Sequence, residues 1–142
     1  MDTKKLAFEY FLCELMKWDM EARHLEDFNT NNDLSILKSL KLLFFTVAID
    51  AKNNNPLLNI FNNFHAMPLG HVELDVYNQY SDLTYFSLDR YSLKLKNISW
   101  DDVQKSLNSN TEELSMIQKG KIKNAVLELK KKKIHINIGE SI

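Results

Sequence analysis

The stretch LSILKSLKLLFFTVAIDAK, residues 34–52, decides the fold of this chain. Its apolar residues recur at three- and four-residue steps, the spacing of one helical face; they are Leu37, Leu40, Phe44, Val47, Ala48 and Ala51. Ile36, Leu43 and Phe45 widen that face over most of the helix girth. Because a helix that is apolar nearly all round is typical of a buried position, this one is predicted to be central, with Asp33 as its N-cap.

The flanking segments predict further helices. Residues 4–21 carry apolar side chains at helical spacing and form a predicted amphipathic helix, which ends at a polar run. Pro56 suits the first position of a helix, so residues 57–64 are predicted to form a short helix. Because it precedes Pro68, Met67 is predicted to be extended, and Gly70 permits a positive φ. The helical pattern then resumes over residues 72–80.

The second half of the chain combines two late helices with a short β element. Residues 91–95 alternate between apolar and polar, which predicts a strand, and the alternating tail at 134–138 is its predicted partner. Ser99 is predicted to cap the helix that follows it, and Thr111 the last helix, which runs to residue 133. The predicted fold is mainly α: a compact, single-domain helical bundle of five to seven helices over residues 1–142, with a short two-stranded β element.

Charge and composition exclude several classes of function. The 142 residues carry a formal net charge of −1, so no global field attracts nucleic acid or an anionic membrane. Arg23 and Arg90 are the only arginines, which weighs against a dedicated nucleic-acid reader. With Cys13 as the only cysteine, the chain has no intramolecular disulfide and no Cys-rich zinc site. No apolar stretch approaches the ~20 residues of a membrane span, and the protein is expected to be cytoplasmic.

Three ionisable residues, His71, Glu73 and Asp75, raise the question of catalysis or metal binding. On a helix only His71 and Asp75 would share a face, and a metal site needs three or four ligands. Acidic residues in the first turn of a helix are better explained by the helix dipole. No nucleophile, zinc or phosphate-binding motif is present, so neither catalysis nor a cofactor is expected. A small metal-dependent enzyme is the alternative.

A lysine-rich helix and a group of aromatic residues are the remaining candidates for a binding surface. Residues 119–133 hold seven lysines, which could form a basic face that binds nucleic acid. A better explanation is a solvent-exposed helix in which the lysines of the last turn interact favourably with the negative end of the helix dipole. Exposed aromatic side chains concentrate where proteins bind partners. Several follow the Met-Pro turn: Tyr77, Tyr80, Tyr85, Phe86 and Tyr91.

Two motifs resemble the Panacea domain, the SocA-like antitoxin family. LKSLKLLFF, residues 37–45, resembles that family's lysine-punctuated helix, and FHAMPLGHVELDVY, residues 64–77, resembles its turn and following helix. The residues that stand at the motif positions are Lys38, Lys41, Leu42, Leu43, Phe44, Phe45, Phe64, Ala66, Pro68, Gly70, Val72, Val76 and Tyr77. The chain departs from the pattern at Phe44, where Tyr is usual, and at Leu69 and His71, which replace a Tyr and a second Pro.

The resemblance implies a helical, non-enzymatic protein without a cofactor. Such a protein would bind and neutralise a cognate protein toxin, or in one type present the toxin to a protease. The X-Pro-x-Gly turn would fix the angle between packed helices and so shape a preformed groove, which loses little entropy on binding. Alternatively, the turn sets helix packing only. The predicted partner-binding residues are Met67, Pro68, Leu69, Gly70, His71, Asp75, Tyr77 and Tyr80.

Overall fold

The structure, a computed structural model, describes residues 3–29, 31–54, 56–68 and 70–132. Within these ranges the helices are α1 (Thr3–Ala22), α2 (Ile36–Asp50), α3 (Leu74–Gln79), α4 (Trp100–Ser109) and α5 (Met116–Lys131). The strands are β1 (Phe64–Met67), β2 (Gly70–Glu73), β3 (Phe86–Leu88) and β4 (Leu93–Leu95). They form two antiparallel pairs, β1 with β2 and β3 with β4. The predicted mainly α fold is confirmed, with two short hairpins where one β element was expected.

The core is built around α1, α2 and α5. The predicted first helix is present as α1, which buries 13 of its 20 residues. Residues 6–16 are buried without a break, so the predicted amphipathic character is wrong and this part of α1 is enclosed on all sides. Both α1 and α2 pack against α5, and α2 also packs against β2. None of the helices in the described ranges combines the length and apolar character needed to cross a bilayer.

Helix α2 buries only part of the face that its sequence predicted. Leu40 and Val47 of that face lie in the core, whereas Leu37 and Ala48 are exposed. Ile36 and Leu43, which only widened the predicted face, are buried as well. Because apolar residues occupy most of its girth, periodicity could not distinguish the core face from the outer one. One side of α2 therefore presents apolar side chains at the protein surface.

Two of the three predicted N-cap residues are wrong. Ser35, not Asp33, caps α2, and its Oγ accepts a hydrogen bond from the Lys38 backbone N–H at 3.2 Å. Ser115, not Thr111, caps α5 and forms a full capping box with its N3 residue. The predicted cap at Ser99 is confirmed for α4. Asp33 and Ser35 both precede α2, and Thr111 and Ser115 both precede α5, so composition alone did not select the residue in cap geometry.

Two segments predicted as helical contain strands. Residues 57–64 form only a single 3-10 turn, Leu57–Asn59, and β1 already begins at Phe64. Residues 72 and 73 belong to β2, so helix α3 starts at Leu74. The strand predicted at residues 91–95 is confirmed for β4, but its partner is β3. The partner predicted at residues 134–138 lies outside the described residues.

Candidate partner-binding site

The two predicted motifs meet at the hairpin formed by β1 and β2. Met67 pairs with Gly70 at the end of the hairpin, where the chain reverses. Gly70 has φ +121°, a conformation that L side chains rarely adopt. A Cβ built on Gly70 would meet no described atom within 4 Å. Glycine is therefore required here by the backbone conformation and not by lack of space.

The end of the hairpin lies at the surface. Met67 has an exposed fraction of 44%, and Pro68, Gly70 and His71 are exposed as well. Predicted site residue Leu69 lies outside the described residues. We call the exposed group Met67, Pro68, Gly70 and His71 the hairpin surface.

The hairpin surface rests on an aromatic residue of α2. The imidazole of His71 stacks on the ring of Phe44, with centroids 4.6 Å apart and an angle of 8° between the planes. Phe44 also contacts the ring of Phe64 edge-on at 5.7 Å, at the start of β1. These contacts fix the hairpin against the outer side of α2.

Beneath the hairpin, a buried carboxylate organises the turn into α3. Glu73 is fully buried and is the N-cap of α3, with Oε1 accepting from the backbone N–H groups of Asp75 at 2.9 Å and Val76 at 3.2 Å. Its Oε2 accepts from the Asn63 N–H at 3.1 Å and lies 2.8 Å from Lys4 Nζ. The buried charge is thus both paired and hydrogen-bonded, as a stable buried charge requires.

Asp75 shares the same ammonium group. Its Oδ2 lies 2.5 Å from Lys4 Nζ, and its Oδ1 accepts from Asn63 Nδ2 at 3.0 Å. The hydrogen bonds from Lys4 and then Asn63 lower the pKa of Asp75. Burial alone would lower the pKa of Lys4, but the bonds to Asp75 and Glu73 outweigh it and raise that pKa. Asp75 therefore serves to hold α1 and α3 together.

His71 and Asp75, which would share a face on a helix, do not come together. A shared face requires one helix, whereas His71 lies in β2, where it stacks on Phe44, and Asp75 lies in the first turn of α3, bound to Lys4. Asp75 does occupy the predicted first-turn position. Within the described ranges, no group of three or more His, Cys, Asp and Glu side chains is placed to hold a metal ion.

The predicted aromatic residues differ widely in exposure. Tyr77 has an exposed fraction of 47%, and its ring lies 5.7 Å from that of the half-buried Tyr80. Tyr91, in the loop between β3 and β4, is 68% exposed. Phe86 is 1% exposed, so its predicted place on a binding surface is wrong. Tyr77 and Tyr91 are thus accessible to a partner, and Phe86 belongs to the core.

The lysine-rich helix partly serves the fold. Lys119 is buried, and its Nζ donates to the carbonyl oxygen of Asn108 at 3.0 Å and to that of Asn110. These carbonyls lie at the end of α4, where a helix leaves its acceptors unpaired. Lys121 Nζ lies 4.0 Å from Asp50 Oδ1 at the end of α2. These contacts direct two lysines toward neighbouring helices, which weakens the alternative of a basic nucleic-acid-binding face.

Sequence reasoning considered Glu73 only as a candidate for catalysis or metal binding, placed Phe44 on the apolar face of α2, and gave Lys4 no role. It did not predict the pairing of Lys4 with Glu73 or the stacking of His71 on Phe44. The usable signal was Glu73, since an acidic residue just before a short helix is a possible N-cap, and a buried cap carboxylate requires a cation.

Comparison with known proteins gives no assignment: no family model, no curated protein and no solved structure matches this chain.

Proposed function

We propose that this chain is an antitoxin-like protein that binds and neutralises a cognate protein toxin through the hairpin surface. The observation that carries the proposal is the packing of the two motifs that resemble the Panacea domain against each other: the ring of Phe44 contacts that of Phe64 edge-on at 5.7 Å, and α2 packs on β2. The stacking of His71 on Phe44 adds a contact at two positions where the chain departs from the family pattern. Residues 37–45 supply Phe44 and residues 64–77 supply His71. The resemblance therefore concerns two motifs that pack against each other in the fold.

The composition of this surface suits a protein partner. Met67 is 44% exposed beside the exposed Pro68 and His71, and exposed Met and aromatic side chains are enriched in protein interfaces. The proposal requires no catalytic group and no cofactor, in keeping with what the resemblance implies. It also treats residues 1–142 as one compact binding domain, supported by a hydrophobic cluster that draws on α1, α2, α5 and both hairpins.

The hairpin is also held rigidly from below. Glu73 accepts three backbone hydrogen bonds and pairs with Lys4, so the base of the hairpin is joined to α1 and α3. A surface already ordered in the free protein loses less conformational entropy when a partner binds. This is the physical advantage of placing a buried charge network under a binding loop.

Co-expression tests the proposal. The small protein encoded by the adjacent gene is expressed alone, with the wild-type chain, or with one of the variants, and growth is scored in each case. Met67→Asp should abolish rescue, because it places a charge in an apolar contact, and Tyr77→Ala should reduce it. Ile117→Asp is the matched control, since Ile117 is 74% exposed and belongs to α5 and not to the hairpin. All three variants should keep the wild-type Tm.

Two results would contradict the proposal. One is full rescue by the folded Met67→Asp and Tyr77→Ala variants; the other is an adjacent gene product that is harmless to growth. The amount of toxin in the cell distinguishes direct neutralisation from presentation of the toxin to a protease. A stable complex recovered by affinity purification indicates direct neutralisation, whereas toxin that disappears only in the presence of this chain and a protease indicates presentation for degradation.

A further inference from the structure

A concave surface lies at the N-terminal half of α2. It is a cleft of about 260 Å³ between α2 and the loop that joins β3 to β4. We call it the cationic cleft; its lining residues are Asp33, Ser35, Leu37, Lys38, Lys41, Arg90 and Tyr91. Three cationic side chains thus face one carboxylate.

The charges in the cleft are not balanced. Lys38 is buried, and its Nζ lies 3.0 Å from Asp33 Oδ2, so these two charges largely neutralise each other. Lys41 and Arg90 have no carboxylate oxygen within 4 Å in the part of the chain that the structure describes. Among its lining residues the cleft therefore carries two more positive charges than negative ones, in a chain whose formal net charge is −1. The carboxylate of Asp89, in the neighbouring turn, offsets part of the charge of Arg90.

The loop that carries Arg90 is fixed to α2. The Asp89 side chain accepts from the N–H groups of Tyr91 at 2.7 Å and Ser92 at 3.0 Å, which closes the turn. The backbone N–H of Ile36 donates to the Asp89 carbonyl at 2.9 Å and joins the loop to the start of α2. Arg90 Cζ lies 5.2 Å from the centroid of the Tyr91 ring, within cation–π range. The guanidinium is thus held in place and still exposed.

The cationic cleft continues into the hairpin surface along α2. Leu37, Lys41 and Phe44 occupy positions i, i+4 and i+7, which place them on one side of the helix. Leu37 is 37% exposed, Lys41 lines the cleft, and Phe44 carries the stacked His71. A protein bound to the hairpin surface would reach the cleft about one helical turn away.

We propose that the partner protein inserts an acidic side chain into the cationic cleft, between Lys41 and Arg90, next to an apolar residue that packs on Leu37 and Tyr91. The inference rests on the proposed function, because it assigns the chemistry of that same partner. A carboxylate matches the planar fork of Arg90. The apolar rim and the small size of the cleft favour an acidic peptide segment over the extended phosphate backbone of a nucleic acid.

A peptide probe tests this inference without the toxin. The probe is a fluorescently labelled hexapeptide of alternating Glu and Leu, and fluorescence anisotropy measures its affinity for the full chain. The matched peptide carries Gln in place of Glu and should bind at least about tenfold more weakly, since charge-assisted hydrogen bonds are lost. Lys41→Gln and Arg90→Gln should each weaken binding of the Glu peptide by a similar factor. Lys105→Gln, an exposed lysine on α4, is the control that should change nothing.

Binding of the Glu peptide should also weaken as salt is added, because exposed charges are screened. Equal affinity for the Gln peptide, or wild-type affinity in both cleft variants, would overturn the inference. So would tighter binding of oligothymidylate with the same dependence on Lys41 and Arg90, which would mark the cleft as a phosphate site.

The co-expression assay separates this inference from the proposed function. If Met67→Asp abolishes rescue while Lys41→Gln and Arg90→Gln rescue fully, the toxin does not use the cleft and this inference fails alone. If the Glu peptide requires Lys41 and Arg90 but the adjacent gene product is harmless, the cleft remains a site for acidic segments and the proposed function fails alone.

Discussion

The Nζ of Lys4 lies 2.8 Å from Glu73 Oε2 and joins the first turn of α1 to the point where β2 becomes α3. The Lys4 side chain is 11% exposed and that of Glu73 is fully buried. The same ammonium contacts Asp75 Oδ2 at 2.5 Å. An ion pair, and not only apolar packing, therefore holds the candidate binding hairpin to the first helix.

Lys4→Met should destabilise the protein by an amount near the lower end of about 3–5 kcal/mol, because it leaves the buried carboxylate of Glu73 without its cation. Denaturant unfolding at neutral pH measures the change. The control is Lys5→Met: Lys5 Nζ lies 3.8 Å from Asp82, which is 92% exposed, so the loss should stay below about 1 kcal/mol. Equal losses in the two variants would show that the network under the hairpin is not a stabilising contact.

The same substitution at two glycines should change stability in opposite directions. Gly70→Ala should cost about 1–3 kcal/mol, since φ +121° strains any residue with a Cβ. Gly120→Ala should stabilise by about 0.4–1 kcal/mol, because Gly120 lies inside α5 and a Cβ there meets no described atom within 4 Å. Thermal unfolding compares both with the wild type. A neutral Gly70→Ala would mean that the hairpin relaxes to another turn.

The sequence predicted the helical regions well and the hairpin poorly. Helix α1 and the cap of α4 followed directly from apolar spacing and from Ser99. The segment from Phe64 to Glu73 was expected to end one helix and begin another. Its residues form two strands of four residues each, too short for alternation to be distinguished from part of a helical pattern.

The candidate site could be predicted only in part, because its contacts join distant parts of the chain. Local sequence placed Pro68 and Gly70 in a turn, where the structure has them. The stacking of His71 on Phe44 and the pairing of Lys4 with Glu73 depend on how α1, α2 and the hairpin pack together. Such long-range pairs leave no periodic signal in a single sequence.

Lys119→Met should destabilise the protein by about 1–3 kcal/mol, because it leaves two carbonyl oxygens at the end of α4 without a donor. Methionine fills a similar volume, so lost packing contributes little to the change. The control Lys123→Met, at an exposed position of the same helix, should stay within about 0.5 kcal/mol of the wild type. Chemical denaturation of both variants measures the difference. Similar values would mean that Lys119 does not stabilise the end of α4.

Glu9 gives the core a pH-dependent contribution to stability. It is fully buried in α1, its Oε1 accepts from the Tyr85 N–H at 2.7 Å, and its Oε2 has no hydrogen-bond partner among the described residues. Burial raises the pKa of Glu9 above its ordinary value of 4.5, although the backbone N–H groups of Tyr85 and its neighbours act in the opposite direction. The folded protein therefore binds this proton more tightly than the unfolded chain does.

The free energy of unfolding should accordingly gain a contribution from Glu9 as the pH falls through its raised pKa toward 4.5, and lose that contribution as the pH rises. Glu9→Gln removes the titration and keeps an oxygen that can accept from Tyr85. Denaturant unfolding of both proteins from about pH 7.5 down to 4.5 should show the wild type gaining stability relative to Glu9→Gln. Glu112→Gln, at an exposed position, should keep a constant difference from the wild type over the same range. A constant difference for Glu9→Gln as well would mean that the pKa of the buried carboxyl equals its pKa in the unfolded chain. A change of opposite sign would mean that its pKa is lower in the folded protein.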